Sequence, residues 1–333
     1  MTPASEVVST AEASRTRAAP TGLRRLGATL EVRMGALALL LALGLSLLSP
    51  YFLTSNNLFN LLDQSVVIGI VAIGMTFVIL TGGIDLSVGS VAGLTGVVLG
   101  LALQRFPIPL AIVLAVASGA AIGLVSGLLI GRFGLAAFVV TLGMMAIARS
   151  LAYIFSGATS ITNLPPALND IVYASFLGLP ANVLSLLVLY ALAWAYLTYT
   201  KGGRTIYAIG SNREAARTAG LAVVFHSVVP YVVAGALSAV AITFSSAQIM
   251  SIDPLAGTNL ELDAIAAVVI GGASLFGGRG SLIGTLIGVF IMVMIRNGLN
   301  LLGVSPFWQG SAVGGVIIAA VLIERIVSTR SGH

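Results

Sequence analysis

The sequence predicts an all-α fold: a polytopic membrane helix bundle of about ten transmembrane helices with cytoplasmic N- and C-termini. Three observations carry it. Only 27 of 333 residues are charged, or 8 %, against about 25 % in a soluble domain, too few to cover a water-facing surface. The apolar share is 58 % and mean hydropathy is +1.07. Uncharged stretches recur at membrane-spanning length, and the basic residues fall on one side of the bilayer those stretches define.

A bilayer core of about 30 Å needs roughly 20 apolar helical residues, because lipid offers the backbone no hydrogen-bond partners. The uncharged runs place ten cores near 34–52, 58–80, 86–104, 108–130, 133–155, 183–200, 228–250, 263–278, 281–302 and 309–325. Residues 1–33, rich in Ala, Ser, Thr and Arg without apolar periodicity, read as a disordered cytoplasmic tail. Residues 34–325 form the transmembrane domain, interrupted by a cytoplasmic loop at 201–227, and 326–333 a cytoplasmic C-terminal tail. The first run is too long for a signal-peptide core and reads as a retained span.

With the N-terminus inside, thirteen of sixteen basic residues are cytoplasmic: Arg15, Arg17, Arg24, Arg25, Arg33, Arg132, Lys201, Arg204, Arg213, Arg217, Arg279, Arg325 and Arg330. Arg105 falls outside, with Asp63, Asp170, Asp253, Glu261 and Asp263. This asymmetry is the positive-inside pattern. The net charge of +5 therefore marks a membrane face and not a nucleic-acid partner. Arg149 and Arg296 lie within spans, where a charge is functional by default. Both sit near outer span ends, so snorkelling to the headgroups is the competing reading.

Glycines at intervals of four stripe three spans: Gly119, Gly123, Gly127 and Gly131 in the fourth, Gly280, Gly284 and Gly288 in the ninth, and the pairs Gly89/Gly93 and Gly96/Gly100 in the third. Such stripes let helix backbones approach closely. Two segments, Thr81–Ser90 and Gly271–Ser281, break the apolar pattern with glycines and polar groups. Gly-interrupted spans point to a translocation path. Tight cytoplasmic turns, with Asp85 or Ser281 capping the next helix, account for the same residues. The apolar stretch Ala264–Ile270 is short, which makes the eighth span a distorted or incomplete crossing.

In the cytoplasmic loop, Ser211 or Asn212 can cap a short helix over 213–219, Glu214 suits its first turn, and Gly220 supplies its stop. An exposed, capped, two-turn helix on the inner face is a docking element; a solvated connector is the plainer reading. Glu214-Ala215-Ala216, three residues, then Gly220 resembles the EAA-x₃-G signature that permeases of ABC importers present to their ATPase subunit. Gly203-Arg204 and Ala208-Ile209-Gly210 resemble the version in permeases of ribose/xylose-type monosaccharide importers. The likeness extends to Gly82–Ser90, Glu261–Gly272, Phe276–Ser281 and Asn297–Asn300, covering roughly residues 35–325. Leu260 departs from it, since an aromatic residue often precedes Glu-Leu-Asp in that family.

The resemblance implies a permease subunit in a bacterial inner membrane, importing a monosaccharide with two permease chains (a homodimer), an ATP-binding cassette subunit and a periplasmic sugar-binding protein. Gly203, Arg204, Asn212, Arg213, Glu214, Ala215, Ala216, Arg217 and Gly220 are the expected ATPase-coupling residues, and Thr81, Asp85, Ser87, Ser274 and Asn300 the candidate path or gate residues. The chain itself is expected to bind no cofactor. A phosphate-cradling G-x-x-x-x-G-K-[ST] loop needs Lys after Gly, and the sole lysine, Lys201, follows Thr200, so ATP and Mg belong on the partner. The absence of Cys excludes disulfides and thiolate metal sites. With two His and no catalytic constellation, no metal site and no enzyme activity are expected. The rival function is an ion-coupled secondary carrier of a small polar solute. It needs a membrane carboxylate, for which Asp85 is the only plausible candidate, the others lying at or beyond span ends on this topology, and it has no use for a docking helix.

Overall fold

The computed structural model describes residues 30–176 and 178–331. Most of the expected N-terminal tail, 1–29, and the last two residues lie outside them. Each of the ten expected spans overlaps a helix, the eighth over only half of its length. Seven are long and apolar enough to cross a bilayer: α1 (Leu30–Leu48), α2 (Ser55–Leu80), α4 (Ile108–Gly131), α5 (Ala137–Ser156), α7 (Ala181–Tyr199), α10 (Val223–Ile249) and α12 (Leu282–Leu301). Between them lie α3 (Val88–Leu103), a short helix α6 (Ala167–Tyr173), a small antiparallel hairpin of β1 (Ser175–Phe176) and β2 (Leu179–Pro180), and two short helices, α8 (Lys201–Ser211) and α9 (Arg213–Thr218). A short α11 (Leu260–Ile270) precedes α12, and α13 (Pro306–Ser331) closes the chain.

The span expected at 263–278 is corrected. Only Leu260–Ile270 is helical there, about 16 Å at 1.5 Å per residue, half of a bilayer core. The glycines at 271, 272, 277 and 278 end it: Gly272, Gly277 and Gly278 have φ of 88°, 87° and 72°, a region open chiefly to glycine. The second break is built alike. α2 stops at Leu80, Gly82 takes φ 79°, and α3 starts only at Val88.

α2 is the hub. From Ile68 to Leu80 every residue is buried, and a helix apolar all round belongs at the centre of a bundle. Its hydroxyls are satisfied within: Ser65 donates to the Leu61 carbonyl, and Thr76 to that of Ala72. The Thr76 hydroxyl also meets that of Thr285 at 2.9 Å, linking α2 to α12. At the outer end, Asn57 and Asn297 exchange side-chain hydrogen bonds of 3.0 and 2.7 Å. Asp63 there accepts from Asn182 at 2.7 Å.

The glycine stripes divide into two kinds. On α4, Gly119 and α10 Gly235 are so close that a Cβ on either would strike the other's carbonyl, and Gly123 abuts the Tyr231 carbonyl likewise. On α12, Gly284 lies against Gly271 and Gly288 against Ala267 of α11. These are the expected helix contacts. The α3 stripe is mixed: Gly96 meets Ile242 of α10, whereas Gly93 faces the carbonyls of Pro254 and Ala256 in the irregular chain after α10, and Gly89 faces the Gly257 carbonyl and the Glu261 carboxylate. Gly123→Leu is expected to lower the stability of the α4/α10 pair by at least about 1–3 kcal/mol, the ordinary cost of overpacking, because backbone atoms block the new side chain. Thermal unfolding in detergent measures it; an unchanged midpoint contradicts the contact.

Candidate functional site

The inner face carries the densest set of expected site residues. Tyr199 ends α7, and Thr200 turns the chain: its hydroxyl accepts from Gly203 N at 3.0 Å, capping α8. Residues 201–211, read as loop from sequence, are a helix whose Gly203, Thr205, Ile206 and Ile209 face inward while Lys201 and Arg204 stay exposed. Asn212 then breaks the helix with an extended backbone, φ −162°, and caps α9 by accepting from Ala215 N at 2.9 Å. Glu214 in the first turn suits the helix dipole. It pairs with Arg217 at 2.6 Å, both fully exposed, and that hydrogen bond and charge hold its carboxyl below the ordinary value. Gly220, φ 76°, ends the motif. On α9 only Ala216 is buried, beside Ile209 and Val223; the rest of this two-turn helix offers its surface to solvent.

Three joints tie this exposed element to the bundle. Arg213 donates to the Gly131 carbonyl and to Ser227 Oγ, both at 3.2 Å, reaching the inner ends of α4 and α10. Tyr207 OH donates to the Gly280 carbonyl at 3.0 Å. Gly210 is wedged where the two breaks meet: a Cβ there would strike the Leu80 carbonyl and Gly278 N. Those two atoms are themselves hydrogen-bonded at 3.0 Å, and Gly277 lies against Gly82. The structure thus brings together the two Gly-rich breaks and the helix that leads into α9. Gly210 and Tyr207 carry these joints. Gly210 belongs to the Ala208-Ile209-Gly210 pattern, which assigns it no role, and Tyr207 carries no local signal.

Among the path candidates, Thr81 and Ser274 lie on those meeting turns. Thr81 donates to the Val78 carbonyl, and Ser274 Oγ accepts from Phe276 N at 3.3 Å. Asp85 and Ser87 are buried and bonded to each other, the carboxylate accepting from Ser87 N at 2.8 Å and Oγ at 2.6 Å. That is an Asx-turn and not a cap on α3. Ser281, by contrast, does cap α12 by accepting from Gly284 N. Asn300 lies apart from the rest, at the outer end of α12, accepting from Gln309 at 2.6 Å.

Arg296 and Asp263 depart from the sequence reading. Asp263, placed outside from sequence, is buried in α11 and pairs with Arg296 at 2.6 Å, so Arg296 does not snorkel. Arg149 donates to the Pro254 carbonyl at 3.0 Å, again inward. Asp85 is therefore not the sole carboxylate within the membrane domain, but Asp263 is already matched by a cation.

Residues 57–322 match the family described as branched-chain amino acid transport system / permease component. The chain belongs to this permease family. It is 42 % identical to the ribose import permease RbsC of Escherichia coli K12 over 298 residues, spanning 87 % of this chain and 91 % of that one. The ribose import permease RbsC of Bacillus subtilis 168 is 43 % identical over 86 % of this chain and 90 % of its own. The D-allose transport system permease AlsC of E. coli K12 is 37 % identical over 88 % and 90 %. No solved structure matches. The protein is thus an ABC sugar-importer type permease and a multi-pass inner-membrane protein.

Proposed function

We propose that this permease imports a monosaccharide, a pentose, hexose or related polyol, powered by ATP hydrolysis on a separate cassette subunit that grips α9. Its similarity to ribose, allose and galactose permeases supports a sugar over a branched-chain amino acid. The observation that carries the coupling is the linkage of α9, through Arg213, Tyr207 and Gly210, to α4, α10 and both Gly-rich turns. When the cassette subunits close on ATP, α9 is pulled, and Gly210 passes the displacement to the turns at Thr81–Gly83 and Phe276–Gly280, which act as the inner gate. ATP and Mg are held by the partner. A periplasmic sugar-binding protein delivers substrate at the outer face, and two copies of this chain form the translocating dimer.

Glu214→Lys reverses charge in the first turn of α9, and Gly220→Pro forbids the φ of 76° at its stop. Both variants are expected to insert normally and to reduce sugar uptake per ATP hydrolysed in proteoliposomes containing the full complex. Wild-type coupling in both defeats the docking role of α9.

A further inference from the structure

Residues 250–259 leave α10 and run back into the bundle as irregular chain. Ile252 pairs with Ile161 through two backbone hydrogen bonds of 2.8 and 2.9 Å at the outer end. The chain then descends along α3, passing Gly100, Gly96 and Gly93 and reaching Gly89 with Gly257. Gly89 and Gly100 are eleven residues apart, about 16 Å of helix, so Gly257 lies roughly at mid-membrane. α11 gives the same depth independently: from Leu260 it needs its full length to reach the inner turn at Gly271. Arg149, twelve residues into α5, pins the descent by its bond to the Pro254 carbonyl.

At the bottom of this descent, Thr258 and Asn259 are exposed between buried Pro254 and buried Leu260; the Thr258 hydroxyl donates to the Leu255 carbonyl at 2.6 Å, which leaves its oxygen to act as an acceptor. Asn259 has φ 67° and stands at the N-cap of α11, yet its side chain makes no capping bond. An amide held in a left-handed backbone and not spent on its own helix is available to something else. Irregular backbone at this depth is tolerated only against protein or water, never lipid.

We propose that this descending segment lines the substrate path, and that Thr258 and Asn259 form a mid-membrane station that hydrogen-bonds the hydroxyl groups of a passing polyol. Arg149 acts as a positioning residue that holds the segment down. The proposal rests on the sugar-permease reading for its ligand, but the water exposure it requires does not.

The chain has no native Cys, so Thr258→Cys and Asn259→Cys can each be introduced singly into the full complex in proteoliposomes. The probe is the charged, membrane-impermeant thiol reagent methanethiosulfonate ethyltrimethylammonium. It is applied without nucleotide and after trapping with ATP and vanadate. Both variants are expected to react at least about tenfold faster than Leu40→Cys on the exposed apolar face of α1, because only a water-exposed thiol ionises and meets the reagent; the rates should differ between the two states. Failure of both to react in either state overturns the proposal. So does copper-catalysed cross-linking of either position to its copy in a second chain with no reagent access, since the segment then packs in a protomer interface. Failure of the sugar reading appears separately, as absent ATP-driven uptake by the unsubstituted complex.

Discussion

Gly210→Val is expected to abolish most sugar uptake by the assembled importer, by about tenfold or more, with the chain still inserted in the membrane. Gly210 sits on α8 at the point where the Leu80 carbonyl and Gly278 N meet, and a Cβ there strikes both. These are backbone atoms, which cannot rotate away as a side chain can. The β-branched residue therefore pushes α8 off the turns or pries the turns apart, at the cost typical of overpacking or above it. Either displacement breaks the joint between α9 and the inner gate. Uptake and ATP hydrolysis measured on the same proteoliposomes distinguish the outcomes: hydrolysis persisting with little uptake supports the joint, whereas an unchanged ratio contradicts it. Gly35, which has nothing near its missing Cβ, serves as the control.

Asp263→Ala is expected to destabilise the bundle by about 3–5 kcal/mol, the range for breaking a buried ion pair by removing one partner. The carboxylate is buried and bonded to Arg296 at 2.6 Å, and its loss leaves a guanidinium in a poorly solvated site. Removing both charges with Asp263→Leu and Arg296→Met is expected to recover most of that loss, because well-packed apolar residues replace buried pairs at little cost. Thermal unfolding of the single and double variants in detergent forms the cycle. With Asp263→Leu and Arg296→Met also measured singly, a double-variant loss equal to the sum of those two single losses would show that the two side chains do not depend on each other.

Features decided by neighbouring residues were legible in the sequence. The α9 helix follows from Asn212 as its cap, Glu214 in its first turn and Gly220 at its stop, all within nine residues, and each occupies the expected position. The α4 glycine stripe likewise meets a helix at Gly235. Features decided across the chain were not. Asp263 and Arg296 are 33 residues apart, and only the fold of α11 back onto α12 makes them partners. The uncharged run from Ala264 to Gly278 has nearly the length of a span, yet its glycines end the helix at Ile270. The α3 glycines follow the helix-packing pattern, and nothing local announces that Gly89 and Gly93 meet irregular chain instead. α8 is hidden in the sequence because its charged and glycine residues, taken one by one, suit a loop; its inward face of Thr205, Ile206 and Ile209 emerges only at helical spacing.

Central to the account is that this permease is driven by a partner gripping α9 and has no drive of its own. The most direct measurement is sugar accumulation in sealed proteoliposomes. One set contains this chain alone with an imposed proton or sodium gradient; the other adds the cassette subunit, the binding protein and ATP. The account predicts accumulation in the second set only, lost when ATP is omitted. Accumulation by the isolated chain in response to the ion gradient would contradict it.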